Sequence, residues 1–223
     1  MSRLSKESSE TVYEPPFLFG LDSLDSYLTT LDGIIKEKIK TVEKSRPISF
    51  SNEEESFLDG FIDEHIIGLG EIGQILIESA LVAYYSYLES QLFIFCREIE
   101  PIQNNLEQRL KAIGKHNGDI DKYRKLILEH HNLIPSIQLE QNWVIIKNAH
   151  LIRKYIIHAT LSKANRITLS NHVKSDPSIW HDPKHGSFAI SMEYVKKFSS
   201  TISSFLTELD HLVYQKTGSN TLI

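Results

Sequence analysis

Apolar residues recur at alternating spacings of three and four in two long segments, one near each end of the chain. The first set is Leu21, Leu24, Leu28, Leu31, Ile35 and Val42, and the second is Val195, Phe198, Ile202, Phe205, Leu209 and Leu212. This spacing is typical of one face of an amphipathic α-helix. It predicts a helix that ends near Pro47 and a C-terminal helix of about seven turns. Either face can complete the core of one chain or join a second copy.

The patterns between these two segments also indicate helices. Residues 71–98 are apolar on nearly all sides, as in the central helix of a bundle. A short helix should precede it, opened by a capping box of Ser51 and Glu54 and ending in the "GLGEIG" of residues 68–73. Two shorter helices are expected in residues 104–132, broken at "GKHNGD", and another in residues 141–159.

Residues 165–187 have two prolines and no consistent period, so we expect a long loop there. Alternation of apolar and polar residues over strand length, with flanking turns, is not found, which makes a sheet improbable. The sequence therefore predicts an all-α fold, an up-and-down bundle of five or more helices. Its single domain should span residues 20–216, between a disordered arm of residues 1–19 and a tail of residues 217–223.

Composition and cysteine usage favour a cytoplasmic protein without a disulfide framework. The 223 residues contain one cysteine, Cys96, and the N-terminal segment has charges but no apolar region of signal-peptide type. The longest apolar tract, residues 80–95, contains Ser86, Glu89, Ser90 and Gln91, so we expect no membrane span.

Charge is distributed unevenly along the chain. The formal net charge is -5, but residues 147–197 contain nine Lys and Arg residues against three Asp and Glu residues, a net charge of +6. A basic segment in an otherwise acidic protein is typical of a surface that contacts phosphate groups. Chance segregation of charges explains it equally well.

This basic segment includes "LIRKYIIHATL", residues 151–161, in which Arg153 and His158 are five positions apart. Five helical residues turn by about 500°, so the two side chains lie about 140° apart unless the helix ends at His158. A stripe of Lys147, His150, Lys154 and His158 follows spacings of three and four beside Arg153.

The segment "WVIIKNAHLIRKYIIHATLSKAN" resembles the centre of the HEPN family (higher eukaryotes and prokaryotes nucleotide-binding), whose members carry in a helix an Arg and a His with four to six residues between them. Arg153 and His158 match this R-x4-H spacing, and Trp143 matches an upstream aromatic residue. "AYYSYLESQL" resembles the earlier helix, where Glu89 takes the place of a glutamate that faces the site. The resemblance covers residues 70–215.

The resemblance implies a metal-independent ribonuclease that works as a homodimer, with Arg153 and His158 of both protomers in one cleft. His158 would transfer protons to or from the RNA 2′-hydroxyl and the leaving 5′-oxygen. Arg153 would stabilise the charge on the pentavalent phosphorus. The products would be a 2′,3′-cyclic phosphate and a 5′-hydroxyl, and DNA would not be cleaved.

The resemblance also implies supporting roles and a biological setting. Glu89 would orient Arg153 or His158, while Lys154, His150 and Lys147 would contact phosphate groups. Lys154 stands where the family commonly has Asn, a departure that bears on activity. The setting would be a toxin–antitoxin pair or antiphage defence, with an antitoxin or regulatory protein as partner and no cofactor or metal.

Other interpretations of the same residues stay open. Arg153 and His158 can simply solvate a helix end and meet its dipole, and Glu89 can face water or pair with a lysine. The loop residues His181, Asp182 and His185 could ligate a metal if the loop curled around it. The alternatives to an enzyme are a non-catalytic nucleotide-binding or RNA-binding module and a helical scaffold for protein–protein interaction.

Overall fold

The structure, a computed structural model, describes residues 16–46, 53–99, 103–113, 119–158, 162–182 and 187–217. Most of the predicted arm, the capping residue Ser51 and nearly all of the predicted tail lie outside these ranges. The described residues form an all-α helical bundle, so the predicted fold class is confirmed.

Seven helices and one short β-hairpin make up the described part of the chain. They are α1 Pro16–Lys44, α2 Glu53–Ile99, α3 Gln103–Ala112, α4 Asp119–His130, α5 Ile137–His158, α6 Lys163–Ser175, β1 Ile179–His181, β2 Phe188–Ile190 and α7 Met192–Thr217. Helix α2 contacts α1, α3, α4, α5, α7 and β2, and α5 packs on α7. The bundle is therefore built around α2.

The first and last helices form where the two apolar seams predict them. In α1 the seam residues Leu21 and Leu28 are buried, and α1 packs along α2. The helix begins at Pro16 rather than after residue 19, because proline suits the first helical position, where no backbone N–H is needed. In α7, Val195 and Phe198 and the later seam residues up to Leu209 are fully buried.

Helix α2 runs without a break through the glycines where the sequence analysis predicted two helices. It has 47 residues, about 70 Å at 1.5 Å per residue, and includes Gly60, Gly68, Gly70 and Gly73. The prediction of a separate short helix ending at "GLGEIG" is wrong. Each glycine costs about 1 kcal/mol in a helix interior, which packing against α1 overcomes in the absence of proline.

The prediction of a loop over residues 165–187 is also wrong for most of that range. The range contains α6 and β1, and β1 pairs antiparallel with β2 in the register Ile179↔Ile190, Trp180↔Ala189 and His181↔Phe188. The Ser162 hydroxyl caps α6 by accepting a hydrogen bond from the Asn165 backbone N–H at 3.3 Å. At the other end of α6, Asp176 accepts a hydrogen bond from Lys197 of α7 at 2.9 Å.

The turn between α4 and α5 fixes how α5 enters the bundle. Asn132 has a φ of 50°, and the Leu133 N–H donates to the Leu128 carbonyl at 2.9 Å, as at a helix C-terminus closed by a left-handed residue. The Ser136 hydroxyl then accepts from the Leu139 N–H at 3.0 Å and starts α5 earlier than residue 141, where the prediction placed it.

The core lies where the second half of α2 meets α5 and α7. Trp143 stacks on Phe205 with 5.4 Å between ring centroids, and Asn142 donates to the Ser204 hydroxyl at 3.0 Å. Leu88 and Leu92 of α2 and Ile146 of α5 are fully buried in the same cluster. This packing holds α5 against the half of α2 that carries Tyr85 and Glu89.

Candidate functional site

The candidate site lies between α2, α4 and α5, and its cationic centre is Arg153. Arg153 is on the last turns of α5, three residues after His150, so both side chains project from one side of the helix. Both are partly buried. The Arg153 Nε and the His150 Nδ1 are buried without a hydrogen-bond partner among the described residues. The hydrogen-bonding capacity of these two enclosed atoms is therefore unused within the described chain.

Tyr85 of α2 is the surface on which these two side chains rest. The Arg153 guanidinium carbon lies 4.7 Å from the centroid of the Tyr85 ring, within the range of a cation–π interaction. The His150 ring lies 5.3 Å from the same ring, at an interplanar angle of 36°. Because Tyr85 is itself buried, the plane of the guanidinium has a fixed support.

Glu89 is one helical turn after Tyr85 and faces the same site. Burial raises the pKa of Glu89 above its ordinary value, and the charge of Arg153 opposes that rise. Burial also raises the pKa of Tyr85, with the carboxylate of Glu89 adding to the effect. Tyr85 is therefore a neutral phenol at any working pH.

The imidazole of His150 is held in its neutral form. Burial is the largest cause that lowers its pKa below the usual 6.5, and the nearby charges of Arg153 and Lys154 lower it further. At neutral pH His150 therefore lacks the positive charge that a direct phosphate contact would use. The unprotonated ring nitrogen of a neutral imidazole can instead accept a hydrogen bond.

Helix α4 brings acidic residues to the site that the sequence analysis did not include. The Lys147 Nζ lies 4.0 Å from the Asp121 carboxylate, and the charges of Asp119 and Asp121 act on Tyr85. On this side of the cluster, carboxylates from α2 and α4 offset the cations of α5. A phosphate group would be repelled by these carboxylates and, at the C-terminal end of α5, by the negative end of the helix dipole, so the cations of α5 must outweigh both.

His158 is the last residue of α5, and its side chain is exposed. It lies about 140° around the helix from Arg153 and about 7.5 Å farther along the axis. Lys154 is partly buried on the side between them. The structure thus groups Arg153 with His150 and Glu89, and it leaves His158 facing solvent at the helix end.

The β-hairpin lies beside this end of α5. Tyr155 packs on Phe188 of β2, with 4.9 Å between ring centroids, and the outward residue Trp180 of β1 is 63% exposed. Of the residues proposed above as metal ligands, His181 ends β1, Asp182 donates its N–H to the Ser187 carbonyl at 2.9 Å, and His185 lies outside the described residues. Within the described ranges, groups of three or more metal-ligating side chains do not occur.

Sequence reasoning missed Tyr85 and Asp121 as members of the site. Tyr85 belongs to the apolar face of α2 and has the sequence pattern of an ordinary core aromatic residue. Its spacing of four from Glu89 was the available signal, since residues at i and i+4 share a helix face. Asp121 is near Lys147 only because α4 and α5 both pack on α2, which no local pattern indicates.

Comparison of the chain with known protein families, with curated proteins and with solved structures finds no match.

Proposed function

We propose that this protein is a metal-independent RNA endonuclease of the HEPN type, acting through Arg153 and His158. The observation that carries the proposal is the position of Arg153. Its guanidinium carbon lies 4.7 Å from the centroid of the buried Tyr85 ring, Glu89 is a nearby carboxylate, and Nε has no hydrogen-bond partner among the described residues. A guanidinium fixed in this way can stabilise the developing charge of a phosphoryl transition state. The +6 net charge of residues 147–197 supports a polyanionic substrate.

The two side chains need a second protomer to act on one phosphate. Within one α5 they point about 140° apart, so the cleft we propose pairs Arg153 of one chain with His158 of another. His158 is exposed at the helix end and can serve as the general acid or base. The neutral His150, in contact with Tyr85, is a positioning residue for Arg153 in this scheme.

The test is cleavage of a 5′-labelled single-stranded RNA by the purified chain in the presence of EDTA. We expect products ending in a 2′,3′-cyclic phosphate, and no cleavage of an RNA whose 2′-hydroxyls are replaced by hydrogen. Arg153→Ala and His158→Ala should each lower the rate by about 10²-fold or more. Lys174→Ala and His65→Ala, at exposed positions away from the site, are matched controls that should retain the wild-type rate. Absence of cleavage by the wild type, or full activity of either site variant, contradicts the proposal.

A second candidate function is RNA or nucleotide binding without cleavage. It is favoured by one observation, the separation of His158 from Arg153 within the protomer, since binding to a basic surface does not need the two side chains to meet. This function predicts salt-dependent RNA binding, weakened by Arg153→Ala, with no product formed by the wild type.

A further inference from the structure

The first half of α2 and the neighbouring α1 present an apolar face that the rest of the described chain leaves uncovered. On α2, Phe61, Ile72 and Ile75 are 62%, 52% and 62% exposed, and on α1 Tyr27 and Ile34 are 64% and 49% exposed. We define these five residues of the α1–α2 helix pair, with Ser79, as the hairpin face. The name refers to the two helices and not to the β-hairpin. The α2 residues of this face belong to the helix segment Phe57–Arg97, which is long and apolar enough to cross a membrane. Only 6% of the most apolar 18-residue window of this segment is buried in the chain.

The α2 residues of the hairpin face follow a heptad pattern. Phe61, Gly68 and Ile75 are seven residues apart, as are Ile72 and Ser79, so they form one seam along the helix. A seam of this kind is typical of a helix that packs against another helix. The core-facing seam of α2 is a different one, which contains the buried Ile62 and Leu81.

A groove between α1 and α2 opens on the same face. It has a volume of about 230 Å³ and is lined by apolar side chains that include Leu24, Leu31, Leu76 and Ala83, with Tyr27 and Ser79 at its edge. Engineered cavities of about 150 Å³ bind benzene, so this groove has room for a phenyl ring.

We propose that the hairpin face binds a second copy of this chain, with the two α2 helices antiparallel and Phe61 of each copy in the groove of the other. If the helices cross at residue 70, Phe61 lies level with residue 79 of the second copy, which is at the groove. Gly68 lies on this seam next to the crossing, and a Cβ there would meet no atom of the same chain within 4 Å. The two helices can therefore approach closely, and the two-fold symmetry closes the contact.

The exposed apolar area of the hairpin face is close to what such a dimer needs. An aromatic side chain buries about 150–250 Å², so the exposed fractions of Phe61 and Tyr27 supply about 250 Å². Ile34, Ile72, Ile75 and the groove walls add to this on each copy. Stable interfaces bury about 800 Å² per partner, which the whole face approaches.

Charge argues against a lipid bilayer as the occupant. Glu71 and Glu78 lie within the apolar stretch itself, near the middle of any bilayer that it would span, where a carboxylate is strongly unfavourable. Arg46, two residues after the end of α1, forms ion pairs with Asp59 at 3.0 Å and with Asp63, both near the start of α2. Such an ion cluster belongs at a rim in contact with water.

The test is the mass of the full chain by light scattering and sedimentation equilibrium. The wild type should exceed the 25.6 kDa of one chain: its mass is twice that value if the hairpin face alone joins two copies, and four times that value if the catalytic cleft also joins such pairs. Phe61→Ala, which empties the groove, and Ala83→Phe, which fills it from within the same chain, should each raise the dissociation constant about tenfold or more. Ile72→Lys should do the same, whereas its matched control Ile67→Lys, equally exposed but about 140° around the helix, should leave the mass unchanged.

Circular dichroism checks that each variant is folded. We expect all of them to fold because the altered side chains lie outside the core. A monomeric wild type at about 50 μM, well above the dissociation constant of a stable dimer, overturns the proposal. The proposal is also overturned if Ile67→Lys raises the dissociation constant as much as Ile72→Lys does. A monomer that sediments with phosphatidylcholine and phosphatidylglycerol vesicles assigns the face to a membrane instead.

This contact is separate from the cleft proposed for catalysis. Phe61 is 28 residues, or about 42 Å along the helix, from Glu89. Arg153→Ala and His158→Ala should therefore leave the dimer through the hairpin face intact. A wild type that cleaves RNA, but whose mass is unchanged by Phe61→Ala and Ile72→Lys, overturns only the hairpin-face contact. A wild type whose mass responds to these substitutions, but that does not cleave RNA, overturns only the proposed function.

Discussion

The Arg153 guanidinium lies over the ring of Tyr85, 4.7 Å from its centroid, and so joins α5 to α2 at the candidate site. Tyr85→Phe keeps the aromatic face and should change the free energy of unfolding by less than about 0.5 kcal/mol. Tyr85→Leu removes that face and should lower the free energy of unfolding by about 1–2 kcal/mol. Urea denaturation of both variants measures the difference. Equal effects of the two substitutions would show that the ring contributes only apolar contact.

Stability should fall on acidification because His150 is buried in its neutral form. Its pKa is lowered in the folded state relative to about 6.5 in the unfolded chain, so below that pH the unfolded state binds the extra proton. The stabilisation is complete above pH 6.5 and is lost as the pH falls from about 6.5 toward 5, by at most about 1.4 kcal/mol per pH unit. His131 and His172 have lowered pKa values for the same chief reason, burial, and contribute in the same direction.

The free energy of unfolding measured from about pH 7.5 to pH 5 tests this expectation. His150→Gln should lose less stability than the wild type over that range, because one of the responsible groups is gone. His65→Gln, at an exposed position of α2, should retain the wild-type slope. A His150→Gln slope equal to that of the wild type would contradict the assignment.

Asp25 ties three helices together. Its carboxylate accepts hydrogen bonds from the Tyr84 hydroxyl of α2 and, at 3.0 Å, from the Ser199 hydroxyl of α7. Asp25→Ala should lower the free energy of unfolding by about 2–3 kcal/mol, since it leaves a buried tyrosine hydroxyl without its charged acceptor. Asp22→Ala, three residues away at an exposed position, should change it by less than about 0.5 kcal/mol. Thermal unfolding of the pair provides the comparison, and equal losses would contradict this role of Asp25.

Substitution of alanine for two different glycines should change the free energy of unfolding in opposite directions. Gly70 of α2 is exposed, and a Cβ there meets open space, so Gly70→Ala should raise the stability of the folded chain by about 0.5–1 kcal/mol. A Cβ on Gly20 of α1 would lie 2.5 Å from Tyr87 Cε2, so Gly20→Ala should be destabilising despite the same gain in helix propensity. Urea midpoints decide both, and a destabilising Gly70→Ala would contradict the open position of Gly70.

Long periodic segments were the predictable part of the fold. The seams of α1 and α7 identify these helices because each buries a single face whose spacing of three and four is visible in the sequence. The unbroken α2 was not predicted, since the glycines of "GLGEIG" weaken the local signal and packing on α1 outweighs it. Helix α6 was missed because Leu169 and Val173 are its only buried apolar residues among those described, and its end is held by the distant Lys197.

The candidate site was predictable only in part. Arg153, His158 and Glu89 were proposed from the sequence through the resemblance to a family. The grouping of Arg153 with Tyr85 and His150 depends instead on how α5 packs against α2. The roles proposed for Lys147, Lys154 and His150 toward phosphate stay predictions. The neutral state of His150 follows from burial, which is a property of the folded chain.

The 47 residues of α2 also determine how the protein will behave hydrodynamically. A rod of about 70 Å is more than twice the diameter of a small domain, about 30 Å. The frictional coefficient of the chain therefore exceeds that of a sphere of the same mass. A single chain should elute early from a size-exclusion column, with the apparent mass of a dimer. Stoichiometry for this protein must come from absolute mass, because elution volume will overstate it.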